Sequence, residues 1–342
     1  MIKVLVVDDS AFMRQLFKKT IENEPDLKVI ATARNGKEAL KKIKELTPDV
    51  VTLDIEMPVL NGLDTLKKIM AASDPVPTIM VSALSNREII LNALEIGAFD
   101  FIPKPSGSIS PDISDITKEL LAKIRAAAAL DKPLRNIKLI RPYQNKVKRI
   151  RRDNFPIIAI GASSGGPKAL KEIIPVFPAD FPAALIIVQH MPAGFTTSLA
   201  QRLNQESAIT VKEATEFDRI EPGLALVAPG NYHLEVNQDG GIILNQAPPK
   251  WGVRPCVDYM LTSAGRHFKE RVIGVILTGM GHDGAEGMQV VKNNHGYGIV
   301  EDKSTALVYG MPGSTIKANA YDEILPLQQI PFRIIELIER RF

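Results

Sequence analysis

Five times in its first 129 residues the chain passes from a short apolar run into a stretch with helical spacing, and this alternation restricts the fold more than any other feature. The runs are "KVLVVD" (3–8), "KVIATA" (28–33), "DVVTLD" (49–54), "TIMVSA" (78–83) and "FDFIPK" (99–104). Helical stretches lie near 12–22, 36–46, 62–72, 86–96 and 113–129. Strands alternating with helices at this spacing predict a doubly wound α/β domain with a parallel sheet. Ligands in such sheets bind beyond the carboxyl ends of the strands.

The polar residues at those ends form a set. The first strand ends in Asp8 and Asp9, the third in Asp54, the fourth in Ser82 and the fifth in Lys104. Any one of them reads as an ordinary turn residue. Five at matching positions predict one rim carrying three carboxylates, a hydroxyl and an amine. Crowded carboxylates repel unless a cation neutralises them, and hard oxygen ligands in a small site favour Mg²⁺.

A chain of 342 residues exceeds one ordinary core, so two domains are expected. The formal net charge of +3 is unevenly spread. Residues 1–129 sum to −1 (17 basic, 18 acidic), residues 130–153 to +7 (9 and 2) and residues 154–342 to −3 (16 and 19). The middle segment has two prolines and no clean apolar period, which predicts a basic linker between domains at 1–129 and 154–342. Neither flanking region is basic, which argues against a nucleic-acid partner. No apolar run approaches the roughly 18–20 residues that span a bilayer, so no membrane insertion is expected. The N-terminal apolar run is too short for a signal peptide. Cys256 is the only cysteine, which excludes an intrachain disulfide and a cysteine-based zinc site. A cytoplasmic protein is expected.

The alternation resumes after the linker. Strands are predicted at 155–163, 184–190, 271–280 and 296–302, with a helix opening at 166–177 and a glycine loop leading into a helix over 281–294. Short strand-like runs between about 208 and 247, "LALVAP" and "GGIILN" among them, predict an antiparallel hairpin region beside a mostly parallel sheet. The first strand runs into Gly161-Ala-Ser163-Ser164-Gly165, which fits the G-x-S-x-G strand-to-helix elbow that exposes a nucleophilic serine. The loop also admits a phosphate-cradling turn or a serine-capped helix start. It lacks the lysine of a P-loop, and no G-x-G-x-x-G occurs.

A serine nucleophile needs a base, and the base an orienting acid. His190 ends the strand 184–190 and so falls on the same rim as Ser163; His282, in "GMGHDG", is the second candidate. His233 lies in the irregular region, and His267 and His295 on or beside surface helices. Asp283 follows the strand 271–280 and precedes a helix, where it reads as the acid, as a helix N-cap, or as both. Glycines around Met280 would free its amide to bind an oxyanion. From the residues alone the chemistry reaches a serine acyl hydrolase.

Two resemblances extend this. Over about residues 1–125, "VDD", "LDIEMPVLNG", "VSA" and "IPKP" resemble the motifs of response-regulator receiver domains in order and spacing. The resemblance implies that Asp54 accepts a phosphoryl group from a histidine kinase. It implies Mg²⁺ on Asp8, Asp9, Asp54 and the Glu56 carbonyl, phosphoryl oxygens on Ser82 and Lys104, and Phe101 at the aromatic switch position. From about 155 to 337, "IGASSGGP", "VQHMPAGFT", "APGNYH", "RPCVDYM", "GVILTGMGHDGAEGM" and "GMPGS" resemble the catalytic domain of chemotaxis protein-glutamate methylesterases. That resemblance implies Ser163 as nucleophile, His190 as base, Asp283 as acid and the Met280 amide as oxyanion donor, with no cofactor for the ester reaction. It also implies chemoreceptors as substrate, deamidation of their glutamines, and a receiver that covers the catalytic rim until phosphorylated. A DNA-binding regulator and a non-catalytic binding protein are the competing classes. The first is disfavoured by the acidic, oversized second half; the second is separated by labelling Ser163 with a covalent probe.

Overall fold

The computed structural model describes residues 1–82, 87–104, 113–130, 142–143, 150 and 154–342. The chain forms two compact units, Met1–Ile137 and Lys138–Phe342. Nearly all of the basic segment 130–153 lies outside the described residues.

In the first unit the strands are β1 (Ile2–Val7), β2 (Leu27–Ala33), β3 (Val50–Asp54), β4 (Thr78–Ser82) and β5 (Asp100–Pro103). The helices are α1 (Ala11–Glu22), α2 (Gly36–Leu46), α3 (Gly62–Met70), α4 (Arg87–Ile96) and α5 (Ile113–Ala128). The strands form one parallel sheet in the order β2-β1-β3-β4-β5. Its middle strands β3 and β4 are buried throughout, as expected for a sheet covered on both faces. The first three helices are capped by side chains: Ser10, Asn35 and Asn61 accept from Met13, Glu38 and Asp64 amides, satisfying donors a helix start leaves free.

The second unit holds β6 (Ile157–Ala162), β7 (Ala184–Gln189), β8 (Thr210–Glu213), β9 (Leu224–Val227), β10 (His233–Val236), β11 (Ile242–Asn245), β12 (Val272–Ile276), β13 (Tyr297–Glu301) and β14 (Glu323–Leu325). Its helices are α6 (Gly166–Ile173), α7 (Phe195–Glu206), α8 (Val257–Phe268), α9 (Ala285–Asn293), α10 (Gly310–Lys317) and α11 (Ile330–Arg341). Seven strands make a parallel sheet, β14-β13-β12-β6-β7-β9-β8. The antiparallel region is the pair β10–β11. Of the two runs expected there, "GGIILN" supplies β11, but "LALVAP" supplies β9, which pairs in parallel with β7 and β8. Burial explains the difference: Ala225, Leu226 and Val227 are fully buried, as a strand inside a doubly covered sheet must be.

The central strands β6 and β7 have every residue buried. Strand order reverses between β6 and β12 in this sheet, and between β1 and β3 in the first. Among the described residues no helix is long and apolar enough to cross a membrane.

Candidate functional site

The elbow is built by backbone hydrogen bonds on both sides of Ser163. Its amide donates to Thr278 O (3.0 Å), and Gly166 N donates back to Ser163 O (2.8 Å), which closes a tight turn into α6. Gly165 caps that helix at φ +79°, where a side chain would be strained and would meet Leu307 and the Thr278 hydroxyl. Ser163 itself is half-buried, and its neighbour Ser164 is buried.

Register brings the histidine alongside. Ala162 pairs with Gln189, so Ser163 and His190 each follow one member of a directly opposed pair. The His190 amide donates to Ala162 O (3.1 Å). The Gln189 side-chain amide then ties both loops, donating to Ser163 O (2.9 Å) and His190 O (3.2 Å). His190 Nε2 lies 2.8 Å from Asp283 Oδ2. No hydrogen bond joins Ser163 Oγ to the ring among the described contacts; catalytic bonds are often unformed without substrate.

Asp283 is almost fully buried, and its partners explain how it stays charged there. Besides His190, it accepts from Cys256 Sγ (3.0 Å), Val257 N (2.7 Å) and Asp258 N (2.9 Å). The N-terminus of α8 therefore points at the carboxylate. Burial alone would raise its pKa, but the bonds from His190, Cys256 and Val257 together hold it below the ordinary aspartate value. The arrangement is reciprocal: Asp258, in the first turn of α8, accepts from Gly284 N (3.0 Å) and Gly287 N (2.8 Å) at the start of α9.

Met280 sits between Gly279 and Gly281, the latter at φ +81°. A Cβ on Gly279 would lie 2.8 Å from Ser163 Cβ, so this loop runs against the serine. His282 is exposed and packs edge-on against Trp251 (4.0 Å between centroids, 72°), away from the role of base. His233 is buried and stacks on Tyr259 (4.1 Å), and burial lowers its pKa.

Two residues beside the site have no role assigned from the sequence. Thr278 Oγ1 donates to Ser164 O (2.8 Å) and accepts from Val308 N (2.9 Å). Its amide donates to Glu301 Oε2 (2.7 Å), at the end of β13. Glu301 is fully buried, which pushes its pKa up to about 7. The available signal was an acid closing an otherwise apolar strand, "GYGIVE".

The first unit has its own rim. Lys104 Nζ lies 3.0 Å from Asp8 Oδ2 and 2.9 Å from Asp54 Oδ1. Carboxylate oxygens of Asp8, Asp9 and Asp54 lie within 4.8 Å of one another, and Asp54 Oδ2 is buried with no hydrogen-bond partner among the described residues. An orphaned carboxylate oxygen beside two more acids fits a hard divalent cation. Burial raises the Asp54 pKa to about 6, with Asp8 and Asp9 adding to it against Lys104. Ser82 is buried at the end of β4. Glu56 is exposed just past β3. Phe101 is buried, with Lys123 Nζ donating to its carbonyl (2.7 Å).

An acidic strand-end rim with one lysine, and a separate parallel sheet carrying an elbow serine beside a His–Asp pair, define a response-regulator-type α/β protein with a hydrolase-like second unit. Residues 4–110 match the response regulator receiver domain and residues 158–334 match CheB methylesterase. A protein-glutamate methylesterase/protein-glutamine glutaminase of Pyrococcus abyssi is 46% identical over 346 residues, covering 99% of this chain and 94% of the relative. One of the same name from Thermotoga maritima is 46% identical, covering 98% of each. The crystal structure of the Thermotoga maritima CheB methylesterase catalytic domain superposes with a TM-score of 0.52 at 46% identity, over 54% of this chain and 98% of that one. The chain belongs to the CheB methylesterase family and carries an N-terminal receiver domain.

Proposed function

We propose that this chain removes methyl groups from glutamate γ-methyl esters of chemoreceptors, and deamidates their glutamines, in the cytoplasm, under control of phosphorylation at Asp54. The observation that carries this reading is the His190–Asp283 pair held one residue beyond the strand register that places Ser163. With Nε2 engaged by Asp283, Nδ1 is the ring nitrogen left for the serine. His190 takes the Ser163 proton while Oγ bonds to the ester carbonyl carbon. The Met280 amide donates to the resulting oxyanion. On collapse the carbon–OCH₃ bond breaks and His190 returns the proton to the departing oxygen, releasing methanol. Water, deprotonated by His190, then attacks the acyl-enzyme, and the serine leaves with its proton restored. An amide follows the same steps with ammonia as leaving group. Asp283 stays ionised and fixes the imidazole.

In the receiver, Asp8, Asp9, Asp54 and the Glu56 carbonyl would hold Mg²⁺, which neutralises charge on an incoming phosphoryl group. Asp54 is the acceptor, supplied by a histidine kinase; Lys104 and Ser82 bind phosphoryl oxygens, and Phe101 reports the change. Phosphorylation adds about −1.5 to −2 charge to this rim and shifts an equilibrium between inhibited and active enzyme. Methanol release from methylated receptor membranes, with and without a small phosphodonor, tests the whole reading. Release that rises with phosphodonor is expected; none under either condition removes it.

A further inference from the structure

The chain's single tryptophan stands in an unfavourable place. Lys250 and Val253 close a tight turn, with the Val253 amide donating to Lys250 O (3.0 Å). Trp251 and Gly252 occupy its centre at φ +58° and +78°. Such a turn prefers Asn-Gly, because bulky side chains resist positive φ. Yet Trp251 is held there firmly. Its Nε1 donates to Asp258 Oδ2 (2.8 Å), its ring meets the edge of His282, and Lys250 Nζ lies 5.4 Å from the ring centroid. Lys250 in turn bridges Asp258 (3.1 Å) and Glu286 (2.6 Å).

Everything that fixes the ring also belongs to the scaffold of the candidate acid. Asp258 donates its amide to Asp283 and anchors Trp251 through its carboxylate. His282 precedes Asp283 in the chain. The tryptophan is nevertheless 45% exposed. A rigid, strained, half-exposed aromatic at the rim of a hydrolytic site has the properties of a binding hot spot: large apolar area and little conformational entropy left to lose. Strain maintained by surrounding contacts is found where function demands it.

We infer that Trp251 is the seat for the polypeptide flanking the reacting glutamate, its ring covering apolar side chains next to the ester-bearing residue. The residue would thereby select a protein substrate over a free small ester. This rests on the proposed methylesterase reading. The occupant is a polypeptide because Lys250 is shared between two carboxylates, Asp258 and Glu286, which leaves a net negative charge beside the apolar face and repels a headgroup or nucleotide phosphate.

The single tryptophan makes the test direct. The substrate is a tryptophan-free receptor cytoplasmic fragment bearing glutamate methyl esters, and wild-type full-length chain treated with phosphodonor fixes its KM. Full-length Ser163→Ala, treated with the same phosphodonor, is then titrated with the fragment across that KM. A blue shift of tryptophan emission and weaker acrylamide quenching, saturating near the KM, are expected. Unchanged emission across the range overturns the inference. In steady state, Trp251→Ala should raise KM about tenfold with kcat within twofold, while Trp251→Phe, which keeps the face and loses the Nε1–H, stays within threefold of wild type. The labelling rate of Ser163 by a small fluorophosphonate should be the same in all three. Slower labelling in Trp251→Ala would reduce the residue to a structural prop, and equal KM losses in Phe and Ala would assign the effect to the Asp258 bond; either result overturns the seat. If the wild type releases no methanol from the fragment, the methylesterase reading fails first and takes the seat with it.

Discussion

Asp54 and Asp283 are two nearly inaccessible aspartates at strand-order reversals of two parallel sheets, and their surroundings treat them oppositely. Asp283 receives bonds to both oxygens from an imidazole, a thiol and two amides, and its pKa falls. Asp54 keeps one oxygen unpartnered among the described residues, shares its rim with Asp8 and Asp9, and its pKa rises to about 6. A buried charge that the fold satisfies is a finished part. One that the fold leaves short is built to receive something, because uncompensated burial is costly. The helix caps repeat the contrast. The acidic rim starts its first three helices with Ser10, Asn35 and Asn61 side chains. The other starts α6, α7 and α9 with Gly165, Gly194 and Gly284, which carry no side chain into the space above the sheet.

The comparison can be broken most severely at the serine. Ser163→Ala should abolish methanol release, by about 10⁴-fold or more, while the receptor fragment still binds in a pull-down. Asp283→Asn tests the satisfied aspartate; kcat should fall about 10³–10⁴-fold with a smaller change in KM. At the unsatisfied one, Asp54→Asn should leave basal hydrolysis intact and remove activation by phosphodonor, an effect of about 5–150-fold if the coupling is of ordinary size. A variant still fully activated would sever the two rims. Thr278→Val keeps the shape but drops the hydroxyl bond to Ser164; about a tenfold loss in kcat is expected, restored by Thr278→Ser, because small displacements of a nucleophile cost this much.

The smallest effect concerns pH. Asp54 has a folded pKa above its unfolded value of 3.8, so the folded receiver binds the extra proton and loses stability as pH rises from about 4 through about 6. With metal chelated by EDTA, Asp54→Asn should melt higher than wild type at pH 7, and the gap should close toward pH 4. A gap that widened on acidification would contradict the raised pKa. Asp283 has the opposite sign: its stabilisation is complete above the ordinary aspartate range and is lost only below it.

Much of both rims was legible because the informative residues end strands, and strand ends can be counted. Asp8, Asp54, Ser82 and Lys104 fall where the apolar runs stop. His190 is preferred to His282 because it ends a strand, and the pairing of Ala162 with Gln189 shows that this end lies beside Ser163. The donors to Asp283 come from 25–27 residues away in sequence, through the start of α8. Thr278 and Glu301 act through a contact between neighbouring strand ends, and nothing in either residue's own segment names the other as its partner. "LALVAP" was misplaced for a related reason: a short apolar run reads alike in a hairpin and in a covered parallel sheet, and only its neighbours decide.

Asp283, just before α9, accepts from the start of α8, and Asp258, in the first turn of α8, accepts from the start of α9. Tilting either helix would strip a buried carboxylate of its donors, so the pair resists deformation in any direction that matters to the imidazole. An inhibitor of this enzyme, whether another protein segment or a small molecule, therefore gains little by trying to bend the hydrolytic centre.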